Sequence, residues 1–483
     1  MAEASKVIPI ASSSGVADQE EALYEVRKKI YPRAVHGWFA DWRLGMVVFT
    51  QVLFYGLAWL SWNGRQAVLF DLAARKFYIF GLVFLPQDFI YLTLLLVISA
   101  LSLFLFTAVA GRLFCGYACP QTVYTEMFMW IEHSIEGDRP QRIKLDRQPL
   151  TMEKLFKKSF KHFVWFVVAM WTGFTFVGYF SPIRELFMAF LQTRFGPWET
   201  FWICFYAFAT YGNAGFMREQ VCKYMCPYAR FQSVMFDRDT LVITYDAKRG
   251  EPRGARSRKA DLAAAGLGHC VDCEICVQVC PTGIDIRKGL QYECIGCAAC
   301  IDGCDQVMDK MGYPKGLIRY TTENAMERGY SWKEMVKRVL RPRILVYTGV
   351  LWAIIIAFSA SVWLRVPVKV DVIRDRATLA RQVDEEHVEN VYQLRVMNSD
   401  EQAHRILIRA DGLKDLEVLS EPQPLEIGPS MTKTIPVRLR AETEHLAPGS
   451  HRIEFIIEAS DNERHAQPEV FSIHEKSVFI IPH

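Results

Sequence analysis

Eight of the thirteen cysteines lie in one short stretch of the chain, in two copies of a single spacing. Three thiolates from a CxxCxxC loop and a fourth from the other copy are the usual ligands of paired [4Fe–4S] clusters. One cluster is therefore assigned to Cys270, Cys273, Cys276 and Cys304. The other is assigned to Cys280, Cys294, Cys297 and Cys300. The chemistry that this spacing predicts is electron transfer.

Zinc and disulfides are the alternative uses of closely spaced cysteines. Zinc sites usually pair two CxxC knuckles at a longer separation, and four cysteines in each copy are more than zinc requires. The repeated x2-x2-x3 spacing therefore favours iron–sulfur clusters over both alternatives.

A second cysteine pattern, Cys-x3-Cys-Pro, also occurs twice. The first copy has Cys115 and Cys119, and the second has Cys222 and Cys226, with a tyrosine at the same position in each. Because residues four apart share a helix face, we expect the four thiols to meet at the membrane edge as a redox or metal site. Soft thiolates favour Cu(I), zinc or an iron–sulfur centre, and buried cysteines that merely pack helix ends are the alternative.

Long uncharged runs indicate a multidomain membrane protein with an α-helical transmembrane bundle. About twenty apolar residues cross a bilayer. Five runs meet this length, with six spans as the alternative: Leu44–Trp62, Phe89–Ala110, Phe163–Phe180, Trp198–Met217 and Ile344–Leu364. The shorter run Phe77–Leu85 is expected to be re-entrant or interfacial.

The basic residues of the loops predict the orientation. The loop 111–162 is rich in Lys and Arg, whereas the loops on the opposite side carry few, so the basic loop is expected in the cytoplasm. The N-terminus, which shows no signal peptide, and the clusters then lie in the cytoplasm, and the chain after Leu364 lies in the periplasm. The predicted location is the bacterial inner membrane. The cysteine-free segment 305–483 agrees with this topology.

The segment after Leu364 alternates apolar and polar residues in short runs separated by turn residues. About seven strands in such a length predict an immunoglobulin-like β-sandwich. The expected organisation is a cytoplasmic segment 1–40, a bundle 41–240 of two hairpins each ending in CxxxCP, a ferredoxin-like domain 241–342, a last span 343–365 and the sandwich 366–483.

Haem, nucleotide and nucleic-acid sites are disfavoured, whereas a membrane quinone pocket is left open. The predicted spans contain no histidine, which argues against an intramembrane bis-histidine haem. No GxGxxG or GxxxxGK[ST] motif occurs in the context of a nucleotide site. The basic run Lys248–Lys259 is expected to be a solvated linker, and no nucleic-acid partner is predicted.

The paired cluster motif, the doubled CxxxCP and the sandwich tail resemble the CcoG (also FixG or RdxA) family of cytochrome oxidase accessory proteins. The resemblance covers nearly the whole chain from about Lys29, although Asp305 stands where proline often follows the last cysteine. It implies an inner-membrane protein that reduces Cu(II) to Cu(I) for maturation of cbb3-type cytochrome oxidase. The family's cluster and CxxxCP cysteines correspond to the twelve named above.

The mechanistic hypothesis is that electrons pass from a cytosolic donor through the two clusters to copper held by the CxxxCP thiolates, which makes the chain a cupric reductase. Copper-delivery or oxidase-assembly proteins are the expected partners, and a homodimer is an open alternative. A second hypothesis is a quinol dehydrogenase resembling the NapH-type proteins, which share the CxxxCP motifs and paired clusters. A third is a non-enzymatic scaffold that docks oxidase subunits.

Overall fold

The structure is a computed structural model that describes residues 29–258, 266–374, 380–383, 387–420, 423–442, 447–461 and 470–482. The first 28 residues of the predicted N-terminal segment lie outside the described residues. The first half of the chain is mostly helical. Its helices are α1 (Trp38–Trp59), α2 (Phe89–Ala110), α3 (Leu113–Tyr117), α4 (Pro120–Glu136), α5 (Arg139–Arg147), α6 (Met152–Val177), α7 (Ile183–Leu191), α8 (Pro197–Thr210) and α9 (Pro227–Met235).

Three helices in the described residues are long and apolar enough to cross a membrane. They are Pro86–Ala110 (α2 with the 3₁₀ turn before it), α6 and the later helix Pro342–Trp363. Many of their apolar side chains are exposed, such as Leu92 and Leu96 on α2, at 60% and 62%. So much exposed apolar surface is unfavourable in water, and the protein is therefore membrane-associated.

The other two predicted spans are also helical, but they differ from an ideal span. The first predicted span, Leu44–Trp62, is helical only to Trp59, where α1 ends, and it contains the polar Gln51. α8 has 14 residues, which is about 21 Å of helix and less than the hydrocarbon thickness. It continues directly into a π-helical segment, Tyr211–Met217.

The run Phe77–Leu85, expected to be re-entrant or interfacial, forms most of two short strands. A short hairpin, β1 (Ser61–Trp62) and β2 (Arg65–Gln66), precedes an antiparallel sheet of β3 (Val68–Asp71), β4 (Lys76–Ile79) and β5 (Leu82–Phe84). The pairing of Phe77 with both Phe70 and Phe84 shows that β4 is the middle of a three-strand unit.

The iron–sulfur domain combines short elements with long loops. Its elements are β6 (Val242–Tyr245), α10 (Ala247–Gly250), α11 (Ile275–Gln278), α12 (Ala299–Met311), β7 (Ile318–Thr321), α13 (Glu323–Arg328) and α14 (Trp332–Val339). β6 pairs with β7 in an antiparallel ribbon, which joins the two ends of the domain.

The described part of the basic run, residues 248–258, is mostly exposed, as expected of a solvated segment, but two of its arginines contact the rest of the domain. Arg249 donates to the carbonyl of Pro314 (2.6 Å) and Arg256 donates to that of Gly268 (2.6 Å). These arginines hold the run against the domain, a use that a charge pattern alone does not reveal.

The C-terminal part is the predicted β-sandwich. It follows α15 (Pro342–Trp363) and consists of β8 (Val368–Arg374), β9 (Arg381–Gln382), β10 (His387–Asn398), β11 (His404–Asp411), β12 (Glu417–Leu419), β13 (Leu425–Ile427), β14 (Thr432–Glu442), β15 (Gly449–Asp461) and β16 (Val470–Ile481). One sheet has the order β12-β14-β10-β8, with β9 on β10, and the other has the order β13-β11-β15-β16. Alternate residues such as Leu394, Ile406, Val437 and Phe455 are fully buried between the sheets, as period two requires.

Polar contacts fix α15 and α2 to each other at both ends. At the sandwich end, the buried carboxylate of Asp88 pairs with Arg365 (3.3 Å) and Lys369. At the other end, Arg341 donates to the carbonyl of Ala108 (2.8 Å) and pairs with Asp237 (2.9 Å). The sandwich and the iron–sulfur domain therefore lie at opposite ends of this helix pair.

Candidate functional site

The eight clustered cysteines surround two neighbouring cavities. One cavity is lined by Cys270, Cys273, Cys276 and Cys304, and the other by Cys280, Cys294, Cys297 and Cys300. These are the two sets that the spacing predicts. Cys276 borders both cavities, so the two sites are adjacent.

Equivalent positions in the two copies share an unusual backbone conformation. The residue before the second cysteine has positive φ in both copies, Asp272 (53°) and Gly296 (67°). The residue after it does as well, Glu274 (54°) and Ala298 (59°). These left-handed residues curl each loop and lead into α11 and α12. The sequence repeat is therefore a repeat of backbone shape.

Asp305 explains a difference between the two copies. In the first copy, Pro281 follows Cys280 and α11 has ended at Gln278. In the second copy, α12 continues through Cys304 and Asp305 to Met311, because no proline pushes Cys304 out of the helical region. The Asp305 carboxylate accepts from the amide of Gly316 (2.9 Å), which ties the helix to the following loop.

The cavities suit iron–sulfur clusters better than single ions. Within the described residues, no group of three or more His, Cys, Asp or Glu side chains is arranged to hold one metal ion. Four cysteines spread around each cavity match a polynuclear centre, whose iron atoms each take one thiolate. Cys270, Cys276, Cys280, Cys297 and Cys304 are buried, which protects such a centre from solvent. The eight cysteines around the two cavities therefore fit a pair of iron–sulfur clusters.

The four CxxxCP cysteines also come together, although not on continuous helices as expected. Cys115 lies in α3, but Cys119 is extended (ψ 128°) and precedes α4. Likewise, Cys222 lies in a π-helical turn, Val221–Met225, and Cys226 is extended before α9. The prolines cause both breaks, since the residue before proline avoids helical conformation.

Burial and mutual proximity keep the thiols of Cys115 and Cys222 protonated, because they raise the pKa of both. The pKa of Cys222 is raised to about 12, chiefly by burial and also by the neighbouring thiols of Cys119, Cys115 and Cys226. Burial also raises the pKa of Cys115 to about 11, although its hydrogen bond to Gln232 (3.3 Å) acts in the opposite direction. Cys204, expected to be a packing residue, is exposed on α8.

The CxxxCP site lies directly against the second cluster loop. A Cβ atom on Gly116, between Cys115 and Cys119, would be 2.8 Å from the carbonyl oxygen of Gly296 and 2.9 Å from the backbone of Cys297. Only a glycine permits so close an approach. This contact joins the two cysteine motifs through backbone atoms.

Two buried arginines lie at this contact, and neither was predicted to be a site residue. Arg112 donates to the carbonyl of Cys294 (3.4 Å) and also to that of Ala229. Arg43 lies beside the Cys297 thiol and 3.8 Å from Glu126. Their positive charges favour the ionised thiolate form of nearby cysteines and the negative charge of a nearby cluster. The sequence contained a signal for Arg112 only. A basic residue stands shortly before each CxxxCP motif, Arg112 before the first and Arg218 before the second.

A buried ion-pair network holds α4 to α6 and to the π-helical segment. Glu132 pairs with Arg218 (2.9 Å), Arg142 (3.4 Å) and Lys161 (3.5 Å). Because α4 begins at the proline of the first CxxxCP and Arg218 precedes the second, this network fixes the two motifs relative to each other.

The fold and the site together define a membrane-associated iron–sulfur electron-transfer protein. Residues 217–323 match the model of a 4Fe-4S dicluster domain, and residues 92–136 match that of a 4Fe-4S binding domain. Residues 358–482 match the immunoglobulin-like fold found at the C-terminus of FixG.

Similar proteins identify the family. Protein RdxA of Cereibacter sphaeroides is 39% identical, over 81% of this chain and 84% of its own length. Nitrogen fixation protein FixG of Rhizobium meliloti is 37% identical, over 81% of this chain and 80% of its own. A FixG-related protein from Vibrio parahaemolyticus, known as a crystal structure, covers 24% of this chain and 97% of its own at 28% identity, with a TM-score of 0.20. The chain belongs to the FixG/RdxA family.

Proposed function

We propose that this protein reduces Cu(II) to Cu(I) for the assembly of cbb3-type cytochrome c oxidase. The observation that supports the proposal most directly is the contact of Gly116 with Gly296 and Cys297. It brings the CxxxCP thiols, at which copper would accept an electron, next to the sulfur ligands of the second cluster site. An electron acceptor at these thiols would have a short route from that site.

The thiols of the CxxxCP site have the chemistry that such a reaction needs. When bound, the two iron–sulfur clusters supply single electrons, and Cu(II) takes one to become Cu(I). Cys115 and Cys222 are protonated when free, because burial raises the pKa of each. Binding copper therefore releases protons, and soft sulfur ligands favour the Cu(I) product over Cu(II).

The membrane orientation that we propose follows from the charges of the loops. We place the protein in the bacterial inner membrane, with the CxxxCP site and the iron–sulfur domain in the cytoplasm and the sandwich in the periplasm. The basic loop between α2 and α6 supports this orientation. The sandwich would then meet copper-delivery or oxidase-assembly proteins outside the membrane.

The test uses the full-length protein, purified without oxygen and reduced with dithionite that is then removed. Cu(II) is added, and Cu(I) is measured with a Cu(I)-specific chelating dye. The variant with both Cys115→Ala and Cys119→Ala is expected to lose copper reduction while the EPR signals of both reduced clusters remain. Cys204→Ala is the matched control, since Cys204 is exposed on α8 and outside both motifs.

Two outcomes would contradict the proposal. If the double variant reduces copper at the wild-type rate, the CxxxCP thiols do not receive the electrons. If the wild-type protein with reduced clusters yields no Cu(I), copper is not the acceptor at all.

A further inference from the structure

The two cluster sites differ in their access to solvent. Of the eight cluster cysteines, all of which the structure describes, Cys273 of the first site is the only exposed one. The second site faces the bundle, because Arg112 donates to the carbonyl of Cys294 and Gly116 touches the backbone of Cys297. An electron bound for the CxxxCP thiols therefore enters most directly from solvent at Cys273.

The basic run of the sequence is built onto the edge of the first site. The amide of Gly254 and the guanidinium of Arg256 both donate to the carbonyl of Cys270 (3.3 and 3.2 Å). In return, the amide of Cys270 donates to the carbonyl of Gly250 (3.2 Å). These contacts hold the run beside a cluster ligand, where its charge serves no purpose in ligating the cluster.

The run makes this edge positive. Residues 248–258 contain five cations and one carboxylate. Arg249 and Arg256 donate to carbonyl groups, which are uncharged, so both positive charges remain. Lys288 is exposed and follows Arg287, whose side chain borders the first cavity. Residues 248–258 together with Lys288 form a surface that we call the basic rim.

Two carboxylates beside Cys273 offset the charge of the rim only in part. Asp272 pairs with Arg253 (3.8 Å) and with Arg287 (2.5 Å). Glu274, on the other side of Cys273, is exposed. The exposed edge of the first site therefore lies within a mainly positive surface.

We propose that the basic rim docks an acidic one-electron carrier protein, which delivers electrons to the first cluster at Cys273. Charge complementarity selects an acidic surface and speeds its approach. A cluster accepts one electron at a time, and the sequence has no nucleotide motif for a hydride donor. Redox complexes are small and transient, so a charged surface around one exposed edge is sufficient for docking.

This inference rests on the proposed function, because it names the donor and the point of entry of the electrons that reduce copper. In each encounter the carrier is oxidised by one electron. That electron passes through the first site to the second and then converts one Cu(II) ion to Cu(I). The transfer from the carrier requires no proton.

The experiment mixes oxidised full-length protein in detergent with flavodoxin hydroquinone, an acidic one-electron carrier. The semiquinone that forms when flavodoxin gives up one electron is followed by stopped-flow absorbance. Lys248→Glu combined with Lys288→Glu should slow the reaction by about tenfold at low salt, and the difference should fade at high salt. Glu274→Gln should speed the reaction, because it removes a negative charge beside Cys273.

Lys144→Glu combined with Arg147→Glu is the matched control. It changes the net charge equally, at exposed residues of α5 outside the iron–sulfur domain, and should react as wild type. Dithionite should reduce every variant as fully as wild type, which shows that the clusters are intact. If both double variants are slowed equally, or neither is, the rim is not the docking site.

Crosslinking locates the carrier without any electron transfer. A carbodiimide joins lysines to carboxylates in direct contact, and mass spectrometry of the complex with oxidised flavodoxin should find Lys248 or Lys288. Crosslinks at other lysines alone would overturn the proposal. So would a slowing of the rim variant that appears in nanodiscs of anionic lipid but not in detergent, because the rim would then bind lipid headgroups.

Adding Cu(II) separates this inference from the proposed function. If flavodoxin reduces the clusters through the rim but no Cu(I) forms, the docking site stands and the proposed function is wrong. If flavodoxin does not react at low salt while dithionite-reduced protein still reduces copper, the docking site is wrong and the proposed function stands.

Discussion

Replacing Gly116 by alanine tests whether the close contact between α3 and the second cluster loop carries electrons. The new Cβ atom would lie 2.8 Å from the Gly296 oxygen and 2.9 Å from the Cys297 backbone. Both neighbours are backbone, so no side chain can rotate away. Ordinary contact requires a separation of about half an ångström more. The substitution must therefore move α3 away from the loop.

Two opposing effects set the size of the change. Alanine is favoured over glycine in a helix by about 1 kcal/mol. Overpacking of a tight contact costs about 1–3 kcal/mol. The net result is a weakening of the docking of α3 by up to about 2 kcal/mol, and the rate of copper reduction should fall because the thiols lie farther from the cluster.

The assay is the rate of Cu(I) formation by Gly116→Ala after anaerobic reduction, with cluster content measured by iron analysis and EPR. Gly349→Ala is the matched control, since it is also a helical glycine but has no atom within 4 Å of the added Cβ. The control should behave as wild type. A wild-type rate in Gly116→Ala, with full cluster content, would refute the proposed route.

Three further predictions concern the ligands and the packing around them. Cys304→Ala should lower the iron content to about half by loss of the first cluster alone, and equal loss of both cluster EPR signals would contradict the assignment. Glu132→Gln removes the carboxylate that pairs with Arg142, Arg218 and Lys161, of which Lys161 keeps Glu136 (2.8 Å), and should lower the free energy of unfolding by about 3–5 kcal/mol; the control Glu153→Gln breaks an exposed pair and should leave the free energy of unfolding nearly unchanged, both measured by chemical denaturation in detergent. Burial opposes the low pKa of Asp146, but hydrogen bonds from Lys158 and the N-terminal segment outweigh it. The stability that Asp146 provides is therefore present at neutral pH and lost as pH falls below the usual carboxyl range, so Asp146→Asn should speed proteolysis of that segment at pH 7 and have less effect in acid.

Local patterns predicted the local features well. The cysteine spacing gave the two sets around the two cavities, because a short loop determines which sulfurs can converge. Period-two alternation gave the sandwich, since a sheet buries one face of each strand. Apolar length alone was less decisive for α1 and α8, where the polar Gln51 and a helix of 14 residues depart from an ideal span.

Contacts between distant segments could not be predicted from the sequence. The approach of Gly116 to Gly296, the burial of Arg112 and the position of Tyr117 all depend on how α3 docks on a loop far along the chain. The four CxxxCP thiols lie near one another as expected, and Cys119 and Cys226 lie just outside the helices, because each precedes a proline. Phe77 lies in a sheet that becomes visible only when its neighbours Phe70 and Phe84 are paired with it.

Polar contacts at both ends hold α2 and α15 in a fixed position relative to each other. Each helix has 22 residues, about 33 Å, and is secured by Asp88 at one end and by Arg341 at the other. Contacts at both ends oppose translation and rotation of one helix relative to the other. A molecule that binds the sandwich therefore lies at a fixed distance and in a fixed direction from the iron–sulfur domain.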